Sequence, residues 1–309
     1  MTREHGGGLD AARARWGGAR AAWLDLSTGI NPEPYPLPAL PADAWTALPD
    51  RDAAAALEAA ARTFWRVPEG ADVVIAPGLS AVIAALPRAM PRRMRVAIAG
   101  PTYNEFEAAF AGLHAIVTEA PDLRVAAHPN NPDGRWWSEG DLDAPFAVVD
   151  ESFCDVAPER SLVGMADRPG RIVLKSFGKF WGLAGLRLGF AIGDRDVLAQ
   201  LRGMLGPWPV SGPALAVGAA ALRDPAWAEA TRARLARDAA RLDAAMAPHG
   251  RLVGGTSLFR LYDVGDAGAV RDRLAAARIW SRTFGYAPRW LRLGLPPRAG
   301  WDRLRAALP

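Results

Sequence analysis

The chain has 309 residues, half of them hydrophobic and 23% charged, with a formal net charge of +4 and no basic run. That length allows one large or two medium domains, and the even spread of charge argues against nucleic acid while suiting anionic small molecules. A single cysteine, Cys154, excludes an intrachain disulfide or a cysteine-rich metal site, and no apolar stretch reaches the roughly 18 residues of a membrane span.

In chain order, residues 1–22 read as a glycine-rich loop that includes His5, Gly6 and Gly7 and enters a short helix near Leu9. Nothing there has the apolar run of a signal peptide, so the expected compartment is the cytoplasm. A short strand, Leu24 to Ser27, is followed by Asn31-Pro32-Glu33-Pro34-Tyr35-Pro36-Leu37-Pro38, whose prolines force an extended path. Helices are expected over Pro41–Ala47 and Arg51–Trp65. Then short apolar runs alternate with helical patterns: Asp72–Ala76, Arg95–Ala99, Leu123–Ala127, Phe146–Val149, Ile172–Leu174 and Leu188–Ile192. This alternation predicts an α/β domain with a mostly parallel sheet between helices. Five of the runs end in distinctive residues: Pro77-Gly78-Leu79-Ser80, Gly100-Pro101-Thr102-Tyr103, the Pro129–Gly134 turn, Asp150-Glu151-Ser152-Phe153 and Ser176-Phe177-Gly178-Lys179. Open α/β sheets bind ligands at such carboxyl ends, so one large site is expected there. The breaker cluster Pro207–Pro213 precedes one or two long helices over Ala214–Met246 and a mixed remainder. The expected organisation is an N-terminal segment (1–40) that joins the small domain and covers the active site, a large domain (41–206) and a smaller α+β domain (207–309).

The lysines carry the sharpest chemical signal. Only Lys175 and Lys179 are present, against 35 arginines. Where charge alone suffices the chain uses arginine, so a lysine is a candidate for amine chemistry such as a Schiff base, which guanidinium cannot perform. Around Lys179, Ser176 and Arg187 could share one phosphate, and Gly78-Leu79-Ser80 could add amides and a hydroxyl at a helix start. A carbonyl cofactor such as pyridoxal phosphate also needs its ring nitrogen protonated, and Asp150 is placed for that. Tyr103 could stack on the ring and Asn131 could bond its phenolic oxygen. Each feature alone has a bland reading: a solvated lysine, a helix-capping aspartate, an ordinary Asn-Pro turn.

Taken together, Ser176-Phe177-x-Lys179 with Gly185-x-Arg187-x-Gly189, the Asn131-Pro132-Asp133-Gly134 turn and Asp150-Glu151-Ser152-Phe153 resemble the signature of the fold-type I, aspartate aminotransferase-like pyridoxal 5'-phosphate enzymes. That resemblance implies Lys179 as the catalytic lysine and Gly78, Leu79, Ser80, Tyr103, Asn131, Asp150, Ser176 and Arg187 as its cofactor partners. His5-Gly6-Gly7, Asp25–Pro32 and Pro207-Trp208-Pro209-Val210 are similar to the threonine-phosphate decarboxylases of cobalamin biosynthesis within that group. They imply a phosphorylated amino acid as substrate, a homodimer, and Arg282 and Arg292 at the substrate carboxylate. His5 would lie near the substrate phosphate, with Gly29 and Asn131 also facing the substrate. Phe153, where aminotransferases usually carry a tyrosine, leans toward decarboxylation. Leu48 replaces a tyrosine that often reaches a neighbouring subunit, and Asp133 replaces the usual threonine of the turn. An aminotransferase of the histidinol-phosphate type stays open, as does a non-catalytic cofactor- or effector-binding protein.

Overall fold

The computed structural model describes residues 6–308, which divide into two compact units. The smaller holds the described residues up to Pro34, Pro132–Arg135 and those from Ala230 onward; the larger holds Tyr35–Asn131 and Trp136–Glu229. Compactness divides the chain at 229/230 rather than at the 206/207 expected from the breaker cluster. His5 lies outside the described residues.

The smaller unit begins with α1 (Leu9–Trp16) and β1 (Leu24–Asp25). The larger contains α2 (Asp43–Thr46), α3 (Arg51–Trp65), β2 (Asp72–Ala76), α4 (Leu79–Ala89), β3 (Arg95–Ile98), α5 (Glu105–Phe110), β4 (Ala115–Ile116) and β5 (Leu123–Ala127). It continues through β6 (Phe146–Asp150), β7 (Arg171–Ser176), β8 (Gly189–Gly193), α6 (Arg195–Leu205) and α7 (Gly212–Leu222). The division falls inside α8 (Pro225–Met246), after which come β9 (Arg251–Thr256), β10 (Phe259–Asp263), α9 (Ala267–Ala276), β11 (Ile279–Trp280), β12 (Arg282–Phe284), β13 (Ala287–Gly294) and α10 (Trp301–Ala307).

The large sheet has the order β2-β8-β7-β6-β5-β3-β4. Strands β3 to β7 run parallel, and β8 is antiparallel to both of its neighbours. A parallel neighbour would need a crossover element, whereas residues 177–188 contain no α-helix, so the chain turns straight back. The strand alternation sends Val96, Val125, Val148, Ile172 and Leu174 into a core with Val82, Ile83 and Leu86 of α4 and Val197, Leu198 and Leu201 of α6. Each such buried side chain contributes about 1.5–3 kcal/mol. Lys175 and Phe190 are paired across β7 and β8, and the Phe190 ring meets Trp65 of α3 edge-on at 4.9 Å.

Helix ends follow the sequence cues. Asp50 caps α3 by accepting the Ala53 amide at 2.7 Å, and Asp194 caps α6 through the Asp196 and Val197 amides. Within the breaker cluster Ser211 caps α7, and Pro213 occupies that helix's first turn. A Cβ on Gly218 of α7 would lie 3.0 Å from Leu57 of α3, so these two helices pack closely, which keeps α7 in the larger unit.

In the smaller unit an antiparallel sheet, β12-β13-β10-β9, accompanies the parallel pair β1 and β11. The Pro132–Arg135 turn belongs there because Gly134 (φ +74°) presses on β9. A Cβ on Gly134 would lie 2.1 Å from the Gly255 carbonyl oxygen, so glycine is needed. No described helix is long and apolar enough to cross a membrane.

Candidate active site

Lys179 sits on the loop that joins β7 to β8, and both ends of that loop are tied to the sheet edge by the Ser176–Gly189 pairing. Within it, the Phe177 amide donates to Leu188 O (3.1 Å), the Leu183 amide to Phe177 O (3.2 Å) and the Gly182 amide to Lys179 O (3.1 Å). Phe177, Phe180 and Trp181 are fully buried, and Trp181 stacks on Phe177 at 5.1 Å and on Trp227 at 5.3 Å. Aromatic anchoring of the loop on both sides of Lys179 fixes its backbone. The Lys179 Nζ lies 5.4 Å from the centre of the Phe153 ring.

Antiparallel β8 keeps β2 running in the same direction as β7, so the carboxyl ends of β2, β3, β5, β6 and β7 share one edge. The cleft there is lined by Gly78, Leu79, Ser80, Tyr103, Asn131, Asp150, Ser176, Lys179 and Arg187, all nine cofactor residues expected from the sequence. Ser152, Phe153 and Ala184 line it as well. Ser152 is not among the cofactor residues that the sequence motifs imply. It holds Asp150 from amide (2.9 Å) and hydroxyl (2.6 Å), a local Asx-type contact that the Asp-x-Ser spacing permits.

These residues fit pyridoxal 5'-phosphate by two observations. At one end, α4 starts at Gly78 with no side-chain cap, and Ser176 and Arg187 supply a hydroxyl and a guanidinium. Gly78 (φ +83°) is close to Arg187: a Cβ there would lie 2.6 Å from its Nη2. A Cβ on Gly189 would come 3.0 Å from the Leu79 amide nitrogen. The cradle therefore depends on absent side chains. Arg187 itself is left-handed (φ 53°) and its Nη1 donates to Ala184 O at 3.0 Å. At the other end, burial pushes the Asp150 carboxyl above its ordinary pKa, partly offset by the Ser152 hydrogen bonds and by Lys179. A buried carboxyl strained in this way is a fitting partner for a protonated ring nitrogen, whose charge would stabilise its ionised form.

The second lysine is engaged elsewhere. Lys175, 1% exposed, is ion-paired with Glu151 and lies 3.7 Å from Asp155. Burial opposes its charge, but Glu151 is the main partner that outweighs burial and holds the ammonium above its usual pKa. Asp155 also accepts from the indole nitrogens of Trp65 (2.9 Å) and Trp181 (3.1 Å), and Glu151 from the Ser161 hydroxyl (2.6 Å). A permanently charged Lys175 is no nucleophile. His128, Glu151 and Cys154 bring nitrogen, oxygen and sulfur within 4.8 Å of one another. However, His128 Nδ1 accepts from the Trp137 amide (3.1 Å), so Nε2 carries the proton and donates to Arg160 O (2.7 Å). Burial lowers the His128 pKa, keeping it neutral. With both ring nitrogens used and an ammonium on Glu151, the cluster is a closed network and poorly suited to a cation. The rarity of lysine and the Glu151 beside Asp150 were the sequence signals for this network, but its partners could not be read from them.

Of the expected substrate residues, Arg282, Arg292 and Gly29 lie in the smaller unit and Asn131 in the larger. Arg282 and Arg292 face each other across β12 and β13. Arg292 is buried, its Nη2 donates to Ser27 O at 2.7 Å, and its guanidinium lies 5.1 Å from the Phe259 ring. Burial, followed by the charge of Arg282, lowers its pKa to about 10. Gly29 is buried in the same unit. Leu48 is exposed, and Asp133 accepts the Arg135 amide at 3.0 Å.

Comparison with known proteins gives consistent matches. Residues 112–308 match the family model described as aminotransferase class I and II. The threonine-phosphate decarboxylase of Sinorhizobium sp is 43% identical over 97% of this chain and 95% of its own. That of Pseudomonas aeruginosa is 43% identical over 99% of this chain and 97% of its own. The crystal structure of histidinol-phosphate aminotransferase from Sinorhizobium meliloti in complex with pyridoxal-5'-phosphate has a TM-score of 0.79 at 21% identity, covering 100% of this chain and 94% of that one.

Proposed function

The chain belongs to the aminotransferase class I and II family, and from that premise we propose that it is a pyridoxal 5'-phosphate-dependent enzyme that decarboxylates L-threonine O-3-phosphate to (R)-1-amino-2-propanol O-2-phosphate. The near-full-length likeness to two threonine-phosphate decarboxylases carries this reading, and it places the enzyme in cobalamin biosynthesis.

Ser176, Arg187 and the Gly78–Ser80 amides would hold the cofactor phosphate. Asp150 would keep the ring nitrogen protonated, with Tyr103 beside the ring and Asn131 as a hydrogen-bond partner for its phenolic oxygen. When bound, the cofactor supplies the electron sink for the pair left at Cα as the carboxylate departs as carbon dioxide. Lys179 would anchor the cofactor, and its Nζ, freed as the substrate amine takes its place and keeping the proton given up by that amine, would supply the proton that Cα takes up. Arg292 and Arg282 bind the carboxylate through charge-assisted bonds, and fixing that group selects which bond at Cα breaks. The N-terminal segment, with His5, would bind the substrate phosphate, Gly29 would face the substrate, and the segment would keep water out of the site. The working form is a homodimer in the cytoplasm; Trp45, Leu48 and Trp208 are exposed apolar side chains of the kind a second copy covers.

The test is product analysis. Purified protein given L-threonine O-3-phosphate should release carbon dioxide and the amine phosphate in equal amounts. Amino exchange with a keto acid, without carbon dioxide, would replace this reading by a histidinol-phosphate-type aminotransferase.

A further inference from the structure

In the smaller unit, β1 leads into a polar turn built on Ser27. One carboxylate oxygen of Asp25 accepts both the Ser27 amide (2.9 Å) and the Ser27 hydroxyl (2.6 Å), which sets the direction of that hydroxyl. Its oxygen is left to accept, and it takes the Gly7 amide at 2.7 Å. The carbonyl oxygen of the same residue accepts from Arg292 Nη2 at 2.7 Å. Ser27 is 1% exposed and Arg292 5%, so the bond between them is shielded from water, while the bond from the exposed Gly7 is part-buried.

The packing on either side leaves no slack. A Cβ on Gly6 would lie 2.6 Å from the Ser27 carbonyl oxygen. On the other side, the Gly294 amide donates to Leu26 O at 2.7 Å, and a Cβ on Gly294 would lie 2.1 Å from Thr28 O. Residues 26–28 are thus wedged between the Gly6–Gly7 turn and the end of β13, two residues from Arg292. Moving the N-terminal turn moves the Ser27 peptide, and with it the acceptor that aims a buried guanidinium.

We propose that Ser27 is a positioning residue that couples the N-terminal Gly6–Gly7 turn to Arg292, so that the segment assigned to the substrate phosphate also sets the carboxylate-binding arginine. The coupling rests on the reading of Arg292 as the carboxylate group. It makes recognition of one anion felt at the other without any contact between them.

The experiment separates the two anions. Inhibition constants are measured on the holoenzyme for L-threonine, which has the carboxylate only, and for 1-amino-2-propanol O-2-phosphate, which has the phosphate only. Gly6→Ala pushes the turn off the Ser27 carbonyl, and Ser27→Ala removes the acceptor of the Gly7 amide. Each should weaken L-threonine about three- to tenfold, the worth of one net hydrogen bond. The double variant should be no worse than the more severe single one. Asp25→Asn keeps the accepting oxygen and should stay within about twofold of wild type. If Gly6→Ala leaves L-threonine unchanged, or if the two effects add as independent packing defects do, the coupling is overturned. A loss in Asp25→Asn as large as in Ser27→Ala would move the effect to the Asp25 charge and overturn the role of Ser27. Arg292→Ala checks the underlying reading separately: equal weakening of both ligands would remove Arg292 from the carboxylate while saying nothing against the link between Gly6 and Ser27.

Discussion

In the larger unit the cofactor residues stand at five strand ends that leave one sheet edge together. In the smaller unit the two arginines assigned to the substrate share a face because β12 and β13 pair Arg282 with Arg292. The first arrangement depends on strand order and direction, and each residue arrives on its own short motif. The second depends on register, where a slip of one residue would turn Arg282 to the opposite face. Redundancy differs accordingly. The cradle has several donors for one phosphate and a buried ion network behind its lysine loop, whereas the arginine pair stands next to a single serine turn. Damage in the larger unit should abolish chemistry or folding, and damage in the smaller should weaken substrate binding and slow turnover without abolishing it.

The largest expected effect is at Lys179. Lys179→Ala should lose turnover altogether, and borohydride treatment of the wild type should fix cofactor on the peptide bearing Lys179. Label on Lys175 would reverse the assignment of the two lysines. Next comes Lys175→Met, which leaves Glu151 buried without its ion partner and should cost about 3–5 kcal/mol in denaturant unfolding. The double variant Lys175→Met/Glu151→Met should recover part of that; a double variant as unstable as the single one would show that the pair is not the cause. Asp150→Asn should retain the fold and bind cofactor more weakly. Its turnover should fall by about 2.7–4 kcal/mol, the scale of a lost catalytic electrostatic partner. Near-normal turnover would mean that the ring nitrogen has another partner.

In the smaller unit, Arg292→Ala should lower both affinity and turnover with L-threonine O-3-phosphate, by about 1.5–3 kcal/mol in kcat/KM. A change in KM alone would show that this arginine binds substrate without selecting the bond that breaks. The mildest effect is on pH dependence. In cofactor-free protein the Asp150 carboxyl is held above the usual carboxylate pKa, so over that window the folded state binds more protons than the unfolded. Its contribution to stability is present below the usual carboxylate value and is lost as pH rises through the raised one. Urea midpoints of the cofactor-free protein should therefore drop from about pH 4 upward, and the cofactor or Asp150→Asn should flatten that slope. An unchanged slope in Asp150→Asn would assign the pH dependence to another group.

Much of the larger unit was legible because its signals are local. Asp72–Ala76 and Leu123–Ala127 are strands at the residues expected, since short apolar runs bounded by turn formers say where a strand stops. The Gly78, Asp150 and Ser176–Lys179 motifs each carry their chemistry within a few residues, so a shared edge was the natural reading. Three things were decided only by tertiary structure. The antiparallel direction of β8 follows from the lack of a crossover helix, and it closes the lysine loop on itself. Lys175 and Glu151, 24 positions apart in sequence, pair because β6 and β7 lie side by side. Ser27 meets both Gly7 and Arg292 because β1 belongs to the same unit as β13, residues that nothing in their own neighbourhood marks as partners. Periodicity and turn residues report what a segment can become by itself, whereas pairing between distant strands is settled by which faces must be buried together, and no local stretch contains that information.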